Sequence, residues 1–151
     1  MDLPTTETGP DGRTDRAPSA RSASGPAANT LLKATIVCAD DDPTALERLR
    51  ILLTEEGFEV LVRESTSATL ECLWERLPDL LIIDPMMARM AGYELCKQVR
   101  THPETERVPI ILHTTASVPA EDAGSYDCVC AKPADRSVLL LAIRTLLMSR
   151  P

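Results

Sequence analysis

Five short apolar runs alternate with segments that have helical periodicity. The runs are ATIVCA at 34–39, FEVLV at 58–62, LLII at 80–83, VPIILH at 108–113 and CVCA at 128–131. Continuous apolar stretches of this length, bounded by turn residues, are typical of strands buried on both faces of a parallel sheet. The pattern therefore predicts five strands at these positions.

Between the runs, apolar residues recur at the spacing of amphipathic helices. Asp42 suits an N-cap and Pro43 a first helical position, so a first helix is expected from there to a stop at Gly57. Further helices are predicted at 65–77 and 93–100, with about two turns at 117–124 and a last helix from Asp135 through Leu147.

Strand and helix alternate five times with short links. Successive parallel strands need a crossover between them, and helical crossovers cover both faces of the sheet. The chain is therefore predicted to be an α/β protein, a three-layer α/β/α sandwich around a five-stranded parallel sheet.

The first 33 residues differ in composition from the rest of the chain. They hold four prolines, three glycines and eight Ser or Thr, with almost no large apolar residue before Leu31. Such a segment cannot bury enough surface to offset its ordering entropy. We expect 1–33 to be a disordered tail and 34–151 to be one domain.

Charge limits the classes of partner. The net charge is −7, and residues 1–33 carry four acids and four bases, so the whole excess lies in the predicted domain. Binding nucleic acid directly requires clustered Lys and Arg, which argues against that function. Acidic domains of this kind more often contact proteins or bind metal cations.

Five cysteines without a CxxC pair predict neither a disulfide framework nor a zinc site. The amino terminus lacks the apolar run of a signal peptide, and the longest apolar stretch, Val138–Ile143, is too short to span a bilayer. These features indicate a cytoplasmic protein that does not insert into membranes.

Polar residues follow several of the predicted strands. Asp40 and Asp41 come after the first strand, Asp84 after the third, Thr114 after the fourth and Lys132 after the fifth. The carboxyl ends of parallel strands lie along one edge, where α/β sheets bind their ligands. Clustered carboxylates repel unless a cation intervenes, and Mg²⁺ binds one or two carboxylates with water and phosphate oxygens. A lysine and a hydroxyl beside such a metal suit an incoming phosphoryl group.

Each of these residues has an ordinary explanation when it is considered alone. The three acids at 40–42 can form a solvated loop with one N-cap, Lys132 can be exposed, and Thr114 can simply end a strand. Their joint occurrence at the predicted strand ends favours a shared acidic site. The methionines Met86, Met87 and Met90 are expected to fill gaps in the core.

At these residues the chain resembles the receiver domain of two-component response regulators. The resemblance covers about 34–148 and rests on the acidic pair followed by Asp-Pro, on DPMMARMAG at 84–92, on VPIILHT at 108–114 and on Lys132-Pro133. It implies a sheet of order 2-1-3-4-5, as in flavodoxin-like folds, and five surrounding helices.

The resemblance also assigns roles. It implies that Asp84 is phosphorylated by a histidine kinase or a histidine phosphotransfer protein. Mg²⁺ would be bound by Asp40, Asp41, Asp84 and the backbone carbonyl of Met86, and Asp42 would serve as the helix cap.

Two more residues receive roles from the same resemblance. Thr114 would sense the phosphoryl group and Lys132 would contact it. A receiver is consumed stoichiometrically, so no enzymatic turnover is expected even though the domain assists its own phosphorylation and dephosphorylation.

The loop after Asp84 departs from the family pattern. Pro85 removes a backbone N–H that commonly follows the acceptor. Ala88 stands where proline is usual, and Ala91 where an acid often precedes the glycine. These differences alter the loop that has to surround a phosphoryl group.

The read-out region, by which we mean the segment from Thr114 to Lys132, departs further from the family pattern. Val129 occupies the usual place of an aromatic switch residue, Thr115 follows Thr114 where a small residue is normal, and the segment between Thr114 and Lys132 is about one helical turn short. We expect a reduced fourth helix and an unusual read-out surface.

Three functions remain open at this point. The first is a single-domain phosphoacceptor that signals by binding an unknown downstream protein, since little chain follows Met148. The second is a protein-interaction module that works independently of phosphorylation. The third, a haloacid-dehalogenase-type phosphatase, is disfavoured because Met86 stands where that chemistry needs a second acid.

Overall fold

The computed structural model describes residues 34–149, so the prediction of a disordered tail at 1–33 lies outside the described residues. Within this part of the chain, five strands, four α-helices and one 3₁₀ helix follow one another. They are β1 Thr35–Ala39, α1 Pro43–Glu55, β2 Glu59–Arg63, α2 Thr66–Glu75, β3 Leu80–Ile83, α3 Met87–Thr101, β4 Ile110–Thr114, the 3₁₀ helix Ala120–Ser125, β5 Cys128–Ala131 and α4 Arg136–Met148.

The strands form one parallel sheet in the order β2-β1-β3-β4-β5, which confirms the predicted fold and strand order. In its centre, Ala39 of β1 pairs with Ile83 of β3, and Ile83 pairs with Leu112 of β4. At one side, Thr114 pairs with Ala131 of β5. Because the strands run in one direction, the residues that follow β1, β3 and β5 lie along a single edge.

Aliphatic side chains make most of the core. Every residue of β1, β3 and β4 is buried. On one face of the sheet, Leu95, Cys96 and Val99 of α3 pack with Cys72 and Leu73 of α2. The continuous apolar runs therefore correspond to strands covered on both faces.

Side chains at two predicted positions cap the amino-terminal ends of their helices. The Asp42 carboxylate accepts a hydrogen bond from the Thr44 N–H at 3.0 Å, and Pro43 is the first helical residue. The Asp135 carboxylate accepts from the Val138 N–H at 3.1 Å. Both caps confirm the predictions, and each satisfies an amide that the helix leaves without a partner.

Two strands begin later than the apolar pattern predicts. Phe58 precedes β2 because its N–H donates to the Leu53 carbonyl at 3.2 Å and so completes the end of α1. Val108 precedes β4 because its N–H donates to Thr105. At its other end β4 extends to Thr114, which pairs with Ala131 and lies inside the strand rather than after it.

The segment between β4 and β5 is short, as predicted. It holds a 3₁₀ helix of six residues, Ala120–Ser125, in place of an α-helix. Among residues 34–149, no helix combines the length and the apolarity that crossing a lipid bilayer requires.

The first part of α3 is not helical. Ala88, Arg89 and Met90 have φ of 47°, 58° and 78°, so the regular right-handed helix starts after them. Met87 is buried, but Met86 and Met90 are 41% and 48% exposed. The expectation that all three methionines fill the core was wrong for Met86 and Met90, which lie before and within the left-handed turn.

Candidate functional site

Lys132 joins two of the predicted acids. Its Nζ lies 2.6 Å from Oδ2 of Asp40 and 2.7 Å from Oδ2 of Asp84. Asp40 and Asp84 follow the neighbouring strands β1 and β3, and Lys132 follows β5 at the side of the sheet. Three residues that are 44 to 92 positions apart along the chain thus meet at one edge through the parallel topology.

Asp84 is held at both carboxylate oxygens. Oδ2 contacts Lys132, and Oδ1 accepts a hydrogen bond from the Met86 N–H at 2.8 Å. Its own N–H donates to the Ala39 carbonyl at 2.9 Å and ties the residue to β1. Pro85 has no N–H, so the next amide in the chain supplies the bond. The carboxylate is therefore buried, held in one orientation and paired at Oδ2 with an ammonium group.

Asp40 is the more deeply buried acid, with 2% of its surface exposed. Its Oδ1 accepts from the Asp42 N–H at 2.9 Å. Burial raises the pKa of Asp40, and the charge of Asp84 adds to this effect, although hydrogen bonding and charge from Lys132 act in the opposite direction. The site therefore holds more negative charge than its one lysine can compensate.

The pKa of Lys132 responds to the same arrangement. Burial of the ammonium group acts to lower it, but the hydrogen bonds and charges of Asp40 and Asp84 outweigh burial and the net pKa is raised. Lys132 is therefore a fixed positive charge over the physiological pH range.

Asp41 has a different environment from Asp40. It is exposed, and its Oδ2 accepts a hydrogen bond from the Ala88 N–H at 2.9 Å. This bond connects the loop after β1 to the left-handed turn after β3. The other oxygen of Asp41 makes no hydrogen bond to any residue from 34 to 149.

Thr114 lies near the cluster but outside its hydrogen bonds. The side chain is buried, and Oγ1 accepts from the Ala116 N–H at 3.0 Å. The Thr114 carbonyl accepts from the Lys132 N–H at 3.0 Å, so the backbones of the two residues are directly bonded. The hydroxyl keeps its own proton available for donation. The adjacent Thr115 is exposed.

The oxygen ligands of the site suit a hard cation, although the acids do not form a complete coordination shell. In residues 34–149, no group of three or more His, Cys, Asp or Glu side chains is placed to hold a metal ion. The Met86 carbonyl accepts a bond from the Met90 N–H at 3.3 Å and retains a second lone pair. Two carboxylates that share one ammonium group, with a carbonyl beside them, fit the modest protein ligand set of Mg²⁺, which keeps several waters.

Comparison with known proteins decides the family. Residues 36–144 match the family model described as the response regulator receiver domain. The chain belongs to this family. It is a receiver domain of two-component signal transduction.

Relatives and solved structures agree with this assignment. The chain is 37% identical over 117 residues to the phosphate regulon transcriptional regulatory protein PhoB of Rhizobium meliloti, covering 74% of this chain and 51% of that protein. The chain thus spans about half the length of that relative. A putative response regulator from Chloroflexus aurantiacus has a TM-score of 0.71 at 31% identity, covering 77% of this chain and 98% of that chain.

A third match concerns magnesium. The receiver domain of the sensor histidine kinase PA1611 from Pseudomonas aeruginosa was solved with a magnesium ion coordinated in its active site cleft. It has a TM-score of 0.71 at 19% identity and covers 78% of this chain and 98% of that chain. At this identity the likeness shows the shared receiver fold.

Gly92 positions the receiver's candidate acceptor and was not singled out from the sequence as a site residue. A Cβ atom on Gly92 would lie 2.3 Å from the Asp84 carbonyl oxygen and 2.6 Å from the Pro85 Cα. Helix α3 therefore packs directly on the backbone that carries Asp84, and no larger residue fits. A lone glycine early in a helical pattern is the signal that indicates such a close approach.

Ala88 explains how this receiver tolerates the loss of the usual proline. Its φ is 47°, in the left-handed region, whereas proline is restricted to about −65°. Arg89 and Met90 are left-handed as well. The loop therefore follows a path that a proline at position 88 cannot adopt, and the Asp41–Ala88 bond holds it there.

The structure of the read-out region, from Thr114 to Lys132, also differs from the pattern expected for the family. Val129 is 43% exposed on β5. Tyr93 of α3 is buried, and its hydroxyl lacks a hydrogen-bond partner among the described residues. Asp122 of the 3₁₀ helix lies 3.5 Å from Lys97 of α3. The 3₁₀ helix is thus connected to α3 rather than to an aromatic switch on β5.

Proposed function

We propose that Asp84 accepts a phosphoryl group from a histidine kinase or a histidine phosphotransfer protein in a Mg²⁺-dependent reaction. The observation that carries this proposal is the shared contact of Lys132 with Asp40 and Asp84 at the carboxyl edge of the sheet. A buried, oriented carboxylate beside a fixed positive charge and a second acid is suited to phosphoryl transfer.

In this reaction one oxygen of Asp84 attacks the phosphorus atom of a phosphorylated histidine. An O–P bond forms as the P–N bond breaks, and the departing imidazole keeps the electron pair and takes up a proton. Lys132 compensates the charge on the phosphoryl oxygens, since its raised pKa keeps it protonated. The Met86 N–H orients the carboxylate through Oδ1.

The metal site would use oxygen ligands from the loops that follow β1 and β3. Asp40, Asp41, Asp84 and the Met86 carbonyl would hold Mg²⁺, and the free oxygen of Asp41 is available for it. When bound, the ion would compensate negative charge on the transferring phosphoryl group. Lys132 bridges the two buried acids and would share the compensation of their charge with the ion.

Thr114 would detect the product of the transfer. Its hydroxyl oxygen accepts from Ala116, which leaves the hydroxyl proton free to donate to a phosphoryl oxygen. Such a bond would draw the start of the β4–β5 segment toward Asp84. Signalling would then proceed by contact with a downstream protein, stoichiometrically rather than by turnover, and we place the protein in the cytoplasm.

Intact-mass measurement after incubation with Mg²⁺ and acetyl phosphate tests the proposal. We expect the mass of one phosphoryl group to be added to the natural chain and none to Asp84→Asn. Glu64→Gln, which neutralises an exposed acid beyond β2, is the matched control and should be modified normally. Equal modification of the natural chain and Asp84→Asn would refute the role of Asp84.

A second candidate function is a receiver that binds its partner independently of phosphorylation. The exposed Val129 and the six-residue 3₁₀ helix favour it, because position 129 has no aromatic ring to couple Thr114 to the surface. Beryllofluoride, which mimics a bound phosphoryl group, separates the two. Chemical-shift changes confined to the acidic site favour this second function, and changes that extend through 120–131 contradict it.

A further inference from the structure

The face of the sheet opposite α2 and α3 carries a cavity of about 260 Å³. It lies between α1 and the loop from β5 to α4. Apolar side chains make much of its wall, namely Ala45, Leu49, Leu52, Pro133 and Ala134. Its volume is slightly below the ~300–1,000 Å³ that is usual for ligand sites, so it suits a small molecule.

His113 of β4 also lines this cavity, and its imidazole is unsatisfied. The residue is 4% exposed, and neither ring nitrogen has a hydrogen-bond partner among residues 34–149. Burial lowers the pKa of His113 to about 4, with a further contribution from the charge of Lys132. The ring is therefore neutral, with one nitrogen as donor and the other as acceptor.

An unpartnered buried imidazole is costly, because its desolvation is not repaid by a hydrogen bond. An apolar residue at position 113 would avoid this cost. Ile111, two residues earlier on the same face of the strand, is such a residue. The χ2 torsion of histidine is soft, so a small rotation can direct a nitrogen into the cavity. This polar group is consistent with a guest that supplies the missing partner.

Arg48 of α1 gives the charge of that guest. It lines the cavity, and no residue of the described chain forms a hydrogen bond or ion pair with it. The other charged lining residues are committed, Lys132 to Asp40 and Asp84 and Asp42 to the Thr44 N–H. Arg48 is thus the charged lining residue that has no bonding partner among residues 34–149, and its guanidinium matches a planar carboxylate.

We propose that this cavity binds a small organic monocarboxylate, with its apolar body against Leu49 and Leu52, its carboxylate on Arg48 and a hydrogen bond to His113. The site is separate from the phosphoacceptor chemistry and does not depend on phosphorylation of Asp84. Lys132 lines the cavity and also contacts the acidic cluster, so the two sites are neighbours.

Titration of the ¹⁵N-labelled full chain with benzoate, and with its neutral analogue benzamide, tests the proposal. We expect benzoate to shift the amides of Arg48, Leu49, His113 and Ala134 with a Kd of about 1–10 mM, and benzamide to bind about tenfold more weakly. Equal shifts with both probes, or shifts outside this cavity, would overturn the proposal and leave water as the occupant.

Two variants and a control sharpen the test. Arg48→Gln should weaken benzoate about tenfold, while Arg107→Gln, at an exposed arginine remote from the cavity, should leave binding unchanged. His113→Leu should abolish measurable binding and raise Tm by about 4 °C, because an unsatisfied polar group is replaced by an apolar one. A lower Tm would show that His113 is already satisfied, and unchanged benzoate binding would exclude it from the site. Either result overturns the proposal.

Discussion

At the scale of single residues, the site is defined by an imbalance of charge. Two buried carboxylates, Asp40 and Asp84, share one ammonium group from Lys132. The protein keeps this arrangement although buried charges are costly when incompletely paired. A cation, or a phosphoryl group with its metal, would change that balance. Because ionised Asp40 is incompletely paired, the stability of the chain should depend on whether Asp40 is ionised.

The pH dependence of the free energy of unfolding of Asp40→Asn tests this imbalance of charge. Burial raises the pKa of Asp40 above its ordinary 3.8, so the stability that the residue contributes is complete below that value and is lost as the pH rises through the folded-state pKa. Asparagine mimics the protonated form. Urea unfolding should show Asp40→Asn more stable than the natural chain by roughly 0.5–1 kcal/mol near neutral pH and equal to it in acid. A variant that is less stable at neutral pH would contradict this assignment.

Gly92 offers a second residue-scale test. Gly92→Ala places a Cβ 2.3 Å from the Asp84 carbonyl oxygen, so α3 or the acceptor loop has to move. We expect the free energy of unfolding to fall by about 1–3 kcal/mol. Gly124→Ala is the matched control, because a Cβ there meets no atom within 4 Å. Similar losses in both variants would show that close packing on Asp84 is not the cause.

At the scale of secondary-structure elements, the turn at 88–90 is the main departure from regular structure. Three consecutive residues that are not glycine take the left-handed conformation, which costs roughly 1–2 kcal/mol for each L-residue. The bond from the Ala88 N–H to Asp41 and the burial of the preceding Met87 in the core hold it in place. This element joins the predicted metal ligands of β1 to those after β3.

Ala88→Gly measures the cost of this turn. Glycine adopts positive φ without a steric penalty, so the variant should gain about 1 kcal/mol in free energy of unfolding. Ala142→Gly in the regular helix α4 should lose about 0.5–1 kcal/mol, which makes the two substitutions opposite in sign. Thermal and urea unfolding check both values. A loss of stability in Ala88→Gly would show that residue 88 is not left-handed in solution.

The elements were predictable to different degrees from the sequence. Buried parallel strands leave continuous apolar runs, and the caps Asp42 and Asp135 mark helix starts chemically, so both could be located. The turn at 88–90 could not, because Ala, Arg and Met all favour right-handed helix and only tertiary contacts hold them elsewhere. The late start of β4 depends on a hydrogen bond from Val108 to Thr105, which no periodicity reveals.

At the scale of the whole molecule, the parallel topology explains why the distant acids and Lys132 could be grouped in advance. Strand direction alone brings the residues after β1, β3 and β5 to one edge. Their pairing could not be predicted, since the bridge made by Lys132 depends on side-chain geometry. The unsatisfied His113 likewise depends on tertiary burial and has no counterpart in the sequence pattern.

The most direct test of the central claim is to locate the phosphoryl group. The full chain is incubated with Mg²⁺ and phosphoramidate, a donor with the P–N bond of phosphohistidine, then reduced with borohydride, which converts an aspartyl phosphate to homoserine. Peptide mass analysis should find this conversion at Asp84 alone and should find none when a chelator removes the metal. Conversion at another acid, or conversion at Asp84 that persists in the chelator, would contradict the account.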